Sequence, residues 1–234
     1  MNDMLPDSRG TRGTRSIHGA DRVVPRPIWP SFAFMAAVWI AVALYTNERV
    51  LTAQILANLA GGGGGILMTE DQMGEFQWIG RLAYGFIPVR LLARVAITAL
   101  VLQMFTILLA AEIPYRDLFR ASLWGFGAVI YGMFIRVLWL DLLGADLTVA
   151  ELGVVPDSLA ALFMNPAPTI TTAYDALSFL NIHGLLWIGI LFVYLRFESR
   201  VTLRHALLIP LAGWTTISLA QLGLHTFAAQ ILRI

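Results

Sequence analysis

Few side chains in this sequence have chemical capacity, and most of them fall inside apolar stretches. His183 lies in the uncharged run Ala176–Leu195, two residues after Asn181. His225 lies in the run His205–Leu232, where Ser218, Gln221 and His225 recur at i, i+3 and i+7, one face of a helix. Arg90, Arg94 and Arg136 sit towards the ends of two further apolar runs. Polar and ionisable groups at membrane depth are functional hypotheses in their own right. Each histidine comes seven residues inside the end of its run, about 10 Å below one surface if both runs are helical. Arg90, Arg94, Arg136, Asn181, Ser218 and Gln221 are then expected to line a polar cavity in that same leaflet.

Two imidazoles at equal depth could bind a haem between them, or each could ligate a chlorophyll-type chlorin. His183 and His225 are therefore the candidate cofactor residues. The plainer account is a pair of interfacial histidines hydrogen-bonded to backbone or to each other, with arginines that extend their heads to lipid phosphates. No third ligand completes a tetrahedral metal site, so none is expected. Asp141, Asp146, Glu151, Asp157 and Asp175 lack the spacing of a calcium loop. They read as a solvated segment with one short helix, Ser158–Met164. Hydrolytic chemistry has little to work with: neither G-x-S-x-G nor H-E-x-x-H occurs, and there is no cysteine. All sixteen basic residues are arginine, which excludes a Schiff-base lysine and a P-loop. No catalytic residue is expected, and the sequence leans away from an enzyme.

The elements that carry these residues are set by composition. Hydrophobic residues are 58% of the 234 and charged residues only 13%, half the charge of a soluble domain, so lipid is the expected solvent. Five runs are long enough to span at 1.5 Å per helical residue: 28–45, 88–111, 118–140, 176–195 and 205–232. Residues 1–27 form an arginine-rich polar tail, expected to be a cytoplasmic arm, and 28–234 form the membrane domain. Between the first two spans, Val50–Leu59 reads as an amphipathic helix ending at Gly61–Gly65. Thr69-Glu70-Asp71-Gln72 then has capping-box spacing and opens a helix with Met73, Phe76, Trp78, Ile79 and Tyr84, suited to the interface. Ala121, Gly125, Ala128 and Gly132 fall on one face of the third span, a small-residue stripe against which another helix can pack closely.

Ten of the sixteen arginines fall on one side of a five-span layout, while the loop 141–175 has none. The positive-inside rule then puts the N-terminus in the cytoplasm and the C-terminus beyond the membrane. A bacterial inner membrane is the expected location.

The layout resembles the bacterial branch of the Yip family of five-span membrane proteins. The resemblance covers about residues 25–232. It is carried by Arg26-Pro27-Ile28-Trp29-Pro30 ahead of span one and Met68-Thr-Glu-Asp-Gln72 in the outer segment. The turn Ile113-Pro-Tyr-Arg-Asp-Leu-Phe119, an Asp/Ser-rich lead into span four and the turn Arg200-Val-Thr-Leu-Arg-His-Ala206 complete it. It implies a five-helix module that works through partners. Eukaryotic members engage Rab GTPases through a cytoplasmic N-terminal region, whose aspartate-leucine-tyrosine-glycine-proline signature is missing here, so GTPase binding is not implied.

The sequence thus predicts an all-α membrane protein of five transmembrane helices with interfacial amphipathic helices in the first outer loop. Its expected role is a non-catalytic scaffold or accessory subunit in contact with lipids and other integral membrane proteins, without nucleic acid. Two alternatives stand beside it: a small transporter or lipid-handling protein with an outer-leaflet polar cavity, and a haem- or chlorophyll-binding subunit.

Overall fold

A computed structural model describes residues 27–50, 82–143, 154–164 and 172–231. The arginine-rich tail, the glycine run and the expected interfacial helices of 51–81 lie outside the described residues. Those described are mostly helical, with no strand among them. The helices are α1 (Trp29–Tyr45), α2 (Ile87–Leu108), α3 (Tyr115–Leu143), α4 (Leu159–Phe163), α5 (Thr172–Ser178), α6 (Ile182–Val193) and α7 (Leu203–Ile231). A π-helical turn follows α1 over Thr46–Val50, and another follows α6 over Tyr194–Glu198.

Local chemistry sets several of these boundaries. Pro30 and Pro88 stand in the first turns of α1 and α2, where a missing N–H costs nothing. At the end of α2, Ala110 takes a left-handed conformation with φ 50°. That lets the Ala111 N–H reach back to the Thr106 carbonyl at 2.8 Å and closes the helix as glycine usually does. Among the described residues, four segments are long and apolar enough to cross a membrane: Trp29–Glu48, Ile87–Leu108, Tyr115–Leu143 and Leu203–Leu224.

The fourth expected span, 176–195, is not one helix. Residues 176–178 belong to α5, the chain breaks at 179–181, and α6 begins at Ile182. α6 has 12 residues and its π turn a further 5. Together they reach about 25 Å at 1.5 Å each, against about 30 Å of hydrocarbon.

Contacts between helices fix their directions. α1 and α3 run parallel: Met35 lies under Gly127, Trp39 stacks on Phe126 at 5.1 Å, and Tyr45 donates to Asp141 at 3.0 Å. α2 runs against α1, with Arg94 at 5.6 Å over the Trp39 ring and Tyr84 bonded to Asn47. α6 runs against α3, since Gly132 faces His183 and Gly125 faces Trp187 and Leu191. α7 reverses once more, with Trp214 against Gly184 and Ile209 in the cluster with Leu191 and Leu195. Five helices therefore alternate in direction, and Pro27 and the end of α7 lie at opposite ends of the bundle.

α3 is the hub, packing against α1, α2 and α6. One of its faces joins Met35, Trp39, Leu91 and Val95 in a first apolar cluster. Its small-residue face joins Leu102, Trp187, Leu191 and Ile209 in a second. The small stripe is thus occupied by α6 of the same chain. A methyl group at position 132 would sit 2.7 Å from His183 Cγ, and one at 125 would sit 2.9 Å from Leu191 Cδ1. In lipid, where apolar transfer gives helices no reason to associate, such close approach is what holds them together. Pro210 is buried inside α7. Its missing N–H leaves the Ala206 carbonyl without its usual helical partner.

Candidate functional site

The late start of α6 has a full hydrogen-bond account. Asn181 Oδ1 accepts from the Gly184 N–H at 2.6 Å, the N-cap arrangement. The Asp157 carbonyl accepts from the Ile182 N–H at 3.1 Å, and Asp157 Oδ2 accepts from the His183 N–H at 3.1 Å. Leu159 N–H in turn donates to the Leu180 carbonyl at 2.9 Å, so 157–159 and 180–182 are stitched together. Every amide from Ile182 to Gly184 has an acceptor, and a carboxylate sits at the positive end of the helix dipole. On the other side of the stitch, Ser158 caps α4 through Ala161 N–H at 3.3 Å.

His183 is the centre of this junction. Its Nδ1 lies 2.8 Å from Asp157 Oδ2, and its ring packs on the bare backbone of Gly132. With a carboxylate as its partner, Nδ1 is the donor of this contact. The side chain of Asp157 is only 6% exposed and that of His183 26%. Asp157 Oδ1 is buried without a hydrogen-bond partner among the described residues. A carboxylate–imidazole pair of this kind can accept a proton or orient a ligand. Among the described residues no hydroxyl bonds to the ring and no group of three metal-ligating side chains occurs.

The other residues expected around His183 are dispersed. Asn181 is spent on the cap, its Nδ2 donating to the Ser178 carbonyl at 2.8 Å. Arg94 lies over Trp39 on the α1 side of the bundle, and Arg90 is exposed. Arg136, one helical turn beyond Gly132, has Tyr174 as its electrostatic neighbour. Ser218 is half-buried and Gln221 exposed on α7, and no hydrogen bond among the described residues ties either to His183. The side chain of His225 lies outside the described residues. The residue that does meet His183 is Asp157, read from the sequence as one of five acids in a solvated segment. The sequence carried half of the signal. Asn181 is a preferred N-cap residue and marks where the helix starts. The pairing of positions 26 apart left no trace in it.

The cavity lies elsewhere. A groove of about 720 Å³ follows the outer flank of α6, bounded by the start of α1 and by α3. Trp124, Leu185, Leu186, Val193 and Phe197 give it apolar walls, and Gly189 leaves a gap, with nothing within 4 Å of where a methyl would stand. Polar groups gather at one end: Ser31, Arg120, Tyr194 and Glu198. These come from the beginnings of α1 and α3 and the end of α6, so all four belong to the same end of the bundle, opposite the histidine junction. Arg120 lies 3.9 Å from Asp117 and has Tyr194 as an electrostatic neighbour. Around His183, where a polar cavity is expected, the described residues form a bonded junction, and the groove has its polar groups at the other end of α6.

No family model matches this chain, and neither a curated protein nor a solved structure shows significant similarity to it.

Proposed function

We propose that this chain is a non-catalytic, multi-pass membrane protein that works by holding a membrane amphiphile along α6, a lipid-handling module of Yip-like layout. The groove of about 720 Å³ carries this proposal. Its size falls within the range of ligand sites, about 300–1,000 Å³. Its walls are apolar along the helix and polar at one end only, the division of a lipid into chain and head. In this view α6 with its π turn is the fifth crossing. Its shortfall in length is made good by the α4–α5 junction, which satisfies its polar start near the surface.

The test is purification from native membranes followed by lipid extraction. About one phospholipid per chain is expected to survive washing, and Gly189→Leu, whose Cβ would have nothing within 4 Å, should release it by filling the gap. A wild-type chain that retains none would end the proposal.

A second reading, an accessory subunit, draws on the same gap: a bare glycine in an open groove would let a partner helix approach closely. Cross-linking in the membrane should then recover a stoichiometric partner through residues 185–197.

We further propose an inner-membrane orientation with the start of α1 in the cytoplasm. Arg116, Arg120, Arg196, Arg200 and Arg204 all belong to that end, as the positive-inside rule requires. Because the chain has no cysteine, single cysteines can map it. Ser199→Cys should resist an impermeant thiol reagent added outside cells, and Leu142→Cys should react. The reverse pattern would invert the topology.

A further inference from the structure

Arg90 and Arg94 stand one turn apart near the start of α2, and both are exposed. We infer that this pair binds the phosphate of an anionic phospholipid, in the leaflet at the end of the bundle opposite Arg116, Arg120, Arg196, Arg200 and Arg204. At this spacing the two Cβ atoms are about 6 Å apart, and Arg90 is the charged neighbour of Arg94. Among the described residues no carboxylate forms an ion pair with either. Arg94 is held in place by its guanidinium, which lies 5.6 Å over the Trp39 ring. That ring is itself buried and stacked on Phe126. Six residues separate Trp39 from Tyr45, which donates to Asp141 at the same end of the bundle. Arg94 therefore sits about 9 Å below that polar rim.

Two like charges one turn apart repel, and below a polar rim water screens them less than at an open surface. An anion between them turns that repulsion into attraction, and guanidinium groups bind phosphate oxygens through paired hydrogen bonds. The residues that follow make the anion a lipid. Arg90, Arg94, Ile97 and Met104 recur at i, i+4, i+7 and i+14, one face of α2, and Ile97 and Met104 are exposed. From Arg94 to Met104 is about 15 Å of helix, the depth of one leaflet of hydrocarbon. A phosphate at the arginine pair thus leaves its acyl chain lying along Ile97 and Met104. A zwitterionic lipid brings its own ammonium to the phosphate and leaves the pair in excess, so a head of net negative charge is preferred. The site is separate from the α6 groove, whose lining includes no residue of α2. It is an open face rather than a cleft, so its lipid exchanges with the bilayer and is not the one retained through washing.

The experiment is native mass spectrometry on the full chain in detergent, titrated separately with phosphatidylglycerol and phosphatidylcholine of the same acyl composition. Phosphatidylglycerol should bind at about 25-fold lower concentration, about five-fold for each arginine. Arg90→Gln should cut that preference to about five-fold, and Arg90→Gln with Arg94→Gln should abolish it. Arg116→Gln with Arg204→Gln removes the same charge from exposed positions at the other end and should leave the preference in place. Gly189→Leu, which fills the α6 groove, should leave it in place too. Equal binding of the two lipids, or equal loss from both arginine pairs, would overturn the assignment. Loss of the preference in Gly189→Leu would move the anionic lipid to the groove and overturn it as well, with the groove's lipid-holding role intact. A photo-cross-linker at position 97 that captures a polypeptide in native membranes and no lipid would replace the phosphate by an acidic partner helix.

Discussion

The two ends of the α3–α6 pair are built from similar materials and put them to opposite uses. At the start of α6, Asp157, Asn181 and His183 are bonded among themselves and to backbone, and the His183 ring fills the space above Gly132. At its far end Arg120, Tyr194 and Glu198 line open volume. One helix also carries two glycines with contrasting surroundings. A methyl at Gly184 would sit 2.9 Å from both Asn181 Oδ1 and Trp214 Nε1, whereas one at Gly189 would meet nothing within 4 Å. Polar residues at membrane depth are therefore not equivalent signals of function. Those at the junction bond to one another and to backbone and hold the start of α6 in place, and those at the groove line open volume.

Substitutions can break this contrast, and the largest effect is expected at the filled end. Gly132→Val pushes a side chain into His183 and should cost about 3 kcal/mol, the upper range of overpacking. It should appear as a lowered melting temperature and loss of a monodisperse detergent peak. Gly189→Ala is its control and should leave both unchanged. If the two behave alike, α6 does not lie on α3 as described.

Asp157→Ala removes the acceptor for two donors of His183 and should cost about 2 kcal/mol, as for bonds to a charged group. Lipid retention in the groove should be unaffected, because the polar groups that line it are at the other end of α6. A variant that melts normally but loses lipid would show that the junction and the groove are coupled.

Asn181→Ala loses a single cap and should cost about 1 kcal/mol, measured as the shift in thermal midpoint. Asn181→Asp, which keeps the acceptor, should recover most of it. Smallest of all, Ala110→Gly relieves a left-handed residue and should raise stability by about 1 kcal/mol, since the residue already sits where glycine is favoured. Ala110 lies in the turn between α2 and α3, outside the groove lining, and the change should alter neither the junction nor the groove.

The small-residue face of α3 shows how far pattern alone could go. The spacing of Ala121, Gly125, Ala128 and Gly132 marks a face suited to close helix contact, and a methyl at 125 or 132 would press on α6. What it could not announce was the partner, α6 of the same chain rather than another protein. The same limit applies to His183. Hydropathy placed it inside a run continuous from 176 to 195, because a window average passes smoothly over Asn181. The backbone breaks there because the amides of 182–184 find acceptors on Asp157 and Asn181, a choice made by hydrogen bonding rather than by hydrophobicity.

The amino-acid sequence by itself determined the material: helices, apolar enough to cross a membrane, with short turns whose prolines and caps set most boundaries. These are local properties, summed over neighbours a few residues apart. Only the tertiary structure decided that Asp157 meets His183, that the stripe on α3 is already covered, and that the groove along α6 has its polar groups at the arginine-rich end. Those outcomes depend on which faces of which helices come together, and that is fixed by side-chain shape across segments far apart in the chain.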